Sequence, residues 1–133
     1  MDDIFNFRLD DTGLDDLYAS TWTMNRDNVV ELLDLMDKGK ISNVTVLTGI
    51  YFKRRETAIY ARLLEGIQKR GHRFKALKNH AKITLLANEA SGDFVCVQGS
   101  ANWTANPRVE QYVMTNDREI FEFHREWMED CFK

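Results

Sequence analysis

Apolar positions along this chain switch repeatedly between a two-residue and a 3.6-residue period. Residues 17–24, Leu-Tyr-Ala-Ser-Thr-Trp-Thr-Met, are β-branched and aromatic, the composition of a strand. Asn25 suits a helix cap; after it Val29, Val30, Leu32, Leu33 and Met36 form one apolar face, and Gly39 supplies a stop. Residues 43–50 predict a second strand. Ile59, Tyr60, Leu63, Leu64 and Ile67 predict one helix over 54–70, closed by Gly71. Strands are expected at 73–77 and 80–86, then a turn at Ala90-Ser91-Gly92-Asp93 and an apolar return strand at 94–97. Residues 99–108 read as a loop holding the only proline, Pro107, and 110–114 as the last strand. Asn116 with Glu119 fits a capping box for a final helix, whose stripe is Ile120, His124, Trp127, Met128 and Cys131. Strands alternating with helices predict an α/β fold: a mixed β-sheet flanked by helices.

Length allows one domain with its own core, since the chain has 133 residues. Residues 1–16 carry six aspartates and few core residues, and read as an acidic leader to a domain spanning 17–133. No apolar run reaches membrane-spanning length, and the start Met1-Asp2-Asp3 is unlike a signal peptide. A cytoplasmic location without a membrane partner is therefore expected. Cys96 and Cys131 lack metal-ligand spacing and fall in apolar patterns, as reduced, packed thiols do. No metal or other cofactor is expected.

Charge changes the picture in one place. Residues 53–82 hold ten basic side chains against Glu56 and Glu65, a local +8 that leaves −11 for the rest of a chain of net charge −3. Such a block is ordinarily a solvated helix face. It leads, however, into His80-Ala81-Lys82, and Gly99-Ser100-Ala101-Asn102 follows after the predicted hairpin. His80 and Lys82 are two apart, so a strand aims both to one face. An imidazole, an ammonium and an amide converging on small loop residues suit an anionic tetrahedral group, most simply a phosphodiester. The basic block then becomes a candidate track for a polyanion, with Lys53, Arg54, Arg55, Lys78 and Arg108 as phosphate contacts and Trp103 as a base-stacking aromatic or a packing one. His72 reads as solvated, His124 as a core or interface residue, and Trp22 as core.

His-x-Lys on a strand, Gly-Ser-x-Asn after a hairpin and an acid opening the next strand resemble the phospholipase D superfamily. The resemblance runs from about residue 17 to the end and is closest in size to the superfamily's minimal one-motif nucleases. It implies that His80 attacks phosphorus to form a phosphohistidine, and that a second histidine protonates the leaving oxygen and later activates water, without a metal. It implies that Lys82 and Asn102 hold the non-bridging oxygens, that Gly99 and Ser100 shape the phosphate loop, and that Glu110 fixes the His80 tautomer. One motif per chain implies a homodimer with two His80 rings across a twofold axis. The pattern departs from the superfamily at Ala87, where the motif places an aspartate; Asn88 and Asp93 are the nearest polar residues and neither is in register. That loss bears on rate more than on phosphate binding. The reading is a nuclease acting on DNA or RNA. A non-catalytic nucleic-acid-binding or assembly protein is the second reading, and a phospholipid hydrolase the third.

Overall fold

Long apolar runs such as Phe94-Val95-Cys96-Val97 are what a strand needs when helices cover both faces of its sheet. The computed structural model, which describes residues 13–100, 102–103 and 111–133, builds that arrangement. In chain order the elements are β1 (Leu14–Ser20), α1 (Arg26–Asp37), β2 (Ile41–Gly49), α2 (Ile50–Arg55), α3 (Thr57–Lys69), β3 (Arg73–Leu77), β4 (Ile83–Asn88), β5 (Asp93–Gly99), β6 (Tyr112–Asn116) and α4 (Arg118–Asp130). The strands form one sheet in the order β3-β2-β1-β4-β5-β6. β1, β2 and β3 run parallel, and β4, β5 and β6 add antiparallel neighbours. This is the expected α/β fold with a mixed sheet.

Two apolar layers hold the sheet. Val29, Leu32, Leu33 and Met36 of α1, Phe52 of α2 and Leu63 and Ile67 of α3 pack with Leu17, Ala19, Val46, Leu86 and Val95. On the other face Phe121 and Met128 of α4 meet Tyr18, Leu47, Leu85, Ala87, Phe94 and Cys96. Cys96 is buried, as its strand pattern required.

Several boundaries differ from the sequence reading, each for a local reason. β1 begins at Leu14, inside the segment read as a leader, because Leu14 pairs with Ile41 and is itself buried. The strand ends at Ser20 rather than Met24; Thr21 to Asn25 instead form a loop that meets Trp103. The helix expected over 54–70 is two helices, broken at Glu56 (φ −112°, ψ 54°). Residues 53–58 are all exposed, so no apolar position marked the break. The final helix is capped by Asp117, whose Oδ1 accepts from the Glu119 and Ile120 amides, not by Asn116. The Asn116 amide is used across the sheet, accepting from Phe94 N (2.9 Å) and donating to Asp93 Oδ1 (2.7 Å).

Much of the basic block serves the fold. Arg70 forms a two-point pair with Asp37. Arg73 donates to Glu129 and Thr45 and lies over the Phe132 ring, and Lys75 donates to the Cys131 carbonyl. The positive edge strand β3 thus holds the C-terminal end of α4, where carbonyls and the helix dipole favour cations. The expected continuous track is therefore cut: these three cations are committed to intramolecular partners.

Arg73 beside Glu129 holds its carboxyl down at about 2 against an ordinary 4.5, with Tyr18 Oη donating at 2.6 Å as a further cause. A carboxyl depressed in the folded state contributes stability that is full above the ordinary value and is lost as pH falls through the folded one. Glu129→Gln should therefore lower the melting temperature at pH 7 by about 4 °C, a screened surface pair being worth about 1 kcal/mol. The difference from the parent protein should shrink between pH 4.5 and 2 in thermal melts followed by circular dichroism.

Candidate functional site

The three parallel strands end on one rim of the sheet, at Ser20, Gly49 and Leu77. In open α/β sheets this rim, beyond the carboxyl ends of the strands, is where ligands bind. The residues that follow the three strand ends are Thr21 and Trp22, Ile50 and Tyr51, and Lys78, Asn79 and His80. β4 starts and β5 ends at the same rim, which adds Lys82 and Gly99.

His80 and Lys82 precede β4 rather than lying within it, because β1 stops pairing at Ser20, opposite Ile83. The extended lead-in still carries them to one side, with Lys82 Nζ 3.1 Å from His80 Nδ1 and 3.3 Å from the His80 carbonyl. His80 is exposed and Lys82 half-buried. Asn79 anchors the lead-in, donating to Ser20 Oγ (2.8 Å) and accepting from Ala81 N (3.1 Å), while Ser20 Oγ donates to the Ala81 carbonyl (3.0 Å).

Asn102 is the second anchor. Its Oδ1 accepts from Trp22 N at 3.0 Å and lies 3.2 Å from Thr21 Oγ1. A main-chain N–H can only donate, so this bond settles which end of the amide is oxygen. The NH₂ group is then the end that can serve an anion. Gly99 and Ser100 are used differently from the expectation. Gly99 N donates to the Lys82 carbonyl (3.3 Å), and the Ser100 hydroxyl accepts from Gln111 N (3.1 Å) and lies 3.3 Å from its carbonyl. The Gly99 amide thus ties β5 to the lead-in of β4, and the Ser100 hydroxyl joins the end of β5 to the residue before β6. Glycine is required at 99 for space: a Cβ there would stand 2.2 Å from the Gln111 carbonyl oxygen. The pit between Lys82, Thr84, Gly99, Trp103 and Tyr112 holds about 10 Å³, room for one water and too little for a phosphate.

Trp103 is core, only 1% exposed, and its indole Nε1 donates to Thr84 Oγ1 (3.2 Å). It cannot stack on a base, which removes it from the binding set. Glu110 and Arg108, expected respectively to orient His80 and to touch phosphate, lie outside the described residues. Arg54, Arg55 and Lys78 do come together, lining an open cleft of about 350 Å³ with Ile50 and Tyr51. Lys53 turns away, over the Tyr60 ring.

Two aromatic residues that the sequence reading missed stand at the rim. Trp22, read as core, is half-buried and stacks on Tyr51, with centroids 4.4 Å apart and planes at 21°. The His80 ring sits 5.1 Å from that of Trp22. The position of both aromatics just after strand ends was the available signal, but it needed the sheet order to become visible.

Position 87 is also clarified. Ala87 faces α4 among Tyr18, Phe94 and Phe121, whereas Lys82 shares its phase with Thr84 and Leu86 on the opposite face. An aspartate at 87 would enter an apolar cluster at a desolvation cost and would not touch a ligand of His80. The other histidines are also fixed away from the rim. His72, expected to be solvated, accepts from Val44 N (3.1 Å), and His124 accepts from Trp127 Nε1 (2.9 Å). Burial lowers both from the ordinary imidazole value, with Arg70 adding to the effect on His72.

No family model and no curated protein matches the chain. Among solved structures it is similar to the polyphosphate kinase of Porphyromonas gingivalis, at a TM-score of 0.59 and 16% identity. The match covers 86% of this chain and 21% of that one, so the chain spans about one fifth of that protein's length. At this identity the likeness shows a shared fold, a mixed α/β sheet flanked by helices. Among the described residues, no helix is long and apolar enough to cross a membrane.

Removing the Asn102 clamp should be costly. Asn102→Ala strands the Trp22 amide and should lower stability by about 1–3 kcal/mol. Asn102→Asp keeps the accepting oxygen and should retain most of that stability while replacing the NH₂ with a second carboxylate oxygen. Urea melts of the two variants check the difference.

Proposed function

We propose that this chain is a metal-independent phosphodiesterase that cuts nucleic acid through a phosphohistidine, working as a homodimer. The observation that carries the reading is an exposed His80 ring with Lys82 Nζ 3.1 Å away, beside the Arg54, Arg55 and Lys78 cleft. The phospholipase D-like fold supports it.

With Lys82 donating to Nδ1, a neutral His80 ring carries its proton on Nε2, which leaves no lone pair there for attack on phosphorus. Attack on phosphorus needs the opposite tautomer. An arriving phosphate draws Lys82 onto a non-bridging oxygen, which frees Nδ1 to hold the proton and leaves the Nε2 lone pair for phosphorus. The N–P bond forms as the P–O bond breaks, and a second histidine, as imidazolium, hands its proton to the departing oxygen and becomes neutral. That imidazole then takes a proton from water, whose oxygen displaces His80 and regenerates the ring. Lys82 and the Asn102 NH₂ would hold the charge that builds on the phosphoryl oxygens.

In this reading the second imidazole comes from another copy. The chain has three histidines, and His72 and His124 are both bonded elsewhere in the fold. A single observation favours the alternative of a non-catalytic nucleic-acid-binding protein: the Gly99 amide and Ser100 hydroxyl are bonded to Lys82 and Gln111 within the fold.

The purified protein should cut DNA or RNA in EDTA, with His80→Ala slower by at least about 10³-fold. Light scattering should show a dimer, and a strict monomer would leave the mechanism without its acid. Salt-sensitive binding without cleavage, unchanged in His80→Ala, would instead establish the binding protein. Head-group release from lipid vesicles would move the substrate to phospholipid.

A further inference from the structure

We infer that Trp22 and Tyr51 form a base-stacking subsite, so that the rim takes unpaired bases of a single strand in preference to a duplex. The inference rests on the nucleic-acid reading above and adds a substrate class to it.

The argument begins with how firmly Trp22 is held. Its amide donates to Asn102 Oδ1 (3.0 Å) and its carbonyl accepts from Gly49 N (3.1 Å). Gly49 also makes room for the indole, since a Cβ on that residue would stand 2.5 Å from Trp22 Cδ1. The Trp22 backbone is thus held by two hydrogen bonds, and Gly49 leaves the slot that the indole occupies. Tyr51, 42% exposed, lies against it nearly parallel, and the Arg55 guanidinium stands 6.0 Å from the Tyr51 centroid. A rigid aromatic pair lets a flat ligand stack with little further loss of side-chain freedom.

The surroundings define that ligand. Arg54, Arg55 and Lys78 line the cleft on the Tyr51 side, and His80 touches the Trp22 side. A flat π-face flanked by cations suits a base with a phosphate on either side. An inorganic polyphosphate has no π-face and would use only the cations. A duplex keeps its bases stacked on one another and likewise offers only phosphate. Stacking on an aromatic is sequence-tolerant, so discrimination by strandedness rather than by sequence follows.

The test measures binding in the His80→Ala protein, in EDTA, so that it is independent of cleavage. Probes are fluorescein-labelled dT20, the same strand paired with dA20, and unlabelled inorganic polyphosphate as competitor. The His80→Ala protein should bind dT20 more tightly than the duplex. Adding Tyr51→Ala should weaken dT20 about 10- to 100-fold and leave the duplex and polyphosphate within twofold. Trp22→Phe, which keeps a smaller ring in the same slot, should give an intermediate loss. Replacing Arg54 and Lys78 by alanine should weaken all three probes. Equal affinity for strand and duplex, or a Tyr51→Ala effect that is absent or equal on every probe, overturns the subsite. If the parent protein fails to cut any nucleic acid yet shows the Tyr51-dependent preference, the enzyme fails and the subsite stands.

Discussion

The amide oxygen of Asn102 is the contact on which the rim depends. It joins the chain leaving β5 to the chain leaving β1, by accepting the Trp22 amide within reach of the Thr21 hydroxyl. Trp22 is thereby set against Gly49 at the exit of β2, and its ring reaches both Tyr51 and His80. Three strand exits and the return from the hairpin are fixed to one another by a few polar bonds. An unmet donor at this half-buried position would be costly, and that cost makes the clamp specific.

Charge in this protein has two separate employments. Arg70, Arg73 and Lys75 neutralise or cap partners on Asp37, Glu129 and the end of α4, and contribute to closing the sheet's β3 edge. Arg54, Arg55 and Lys78 line an open cleft at the rim. Both groups lie within one basic stretch of sequence, and only their position in the fold divides them. Lys82 belongs to neither group: it rests on His80 and is a short movement from any anion that the ring would meet.

Position 87 shows how face and site can be separated. Ala87 and Lys82 belong to the same hairpin arm, yet the pleat turns them to opposite faces. Alanine is suited to the apolar layer under α4, and its presence leaves the His80–Lys82 pair intact.

The sequence by itself determined the layered α/β order, most element positions and the meeting of His80 with Lys82. These follow from local periodicity and from a two-residue spacing that any extended segment obeys. It also determined the turn at Gly92, which takes φ +72°. Tertiary structure alone decided the places of Trp22 and Trp103: Trp22, read as core, stands at the rim, and Trp103, read as stacking or packing, is core. Both are tryptophans near strand ends, and burial depends on which neighbour the sheet brings to each: Thr84 and the core for Trp103, Tyr51 and the open rim for Trp22. The same holds for Gly99 and Ser100, whose hydrogen bonds go to Lys82 and Gln111, partners that only strand register supplies. Periodicity encodes which face a residue takes, whereas a partner many positions away is encoded only by the packing of the whole chain.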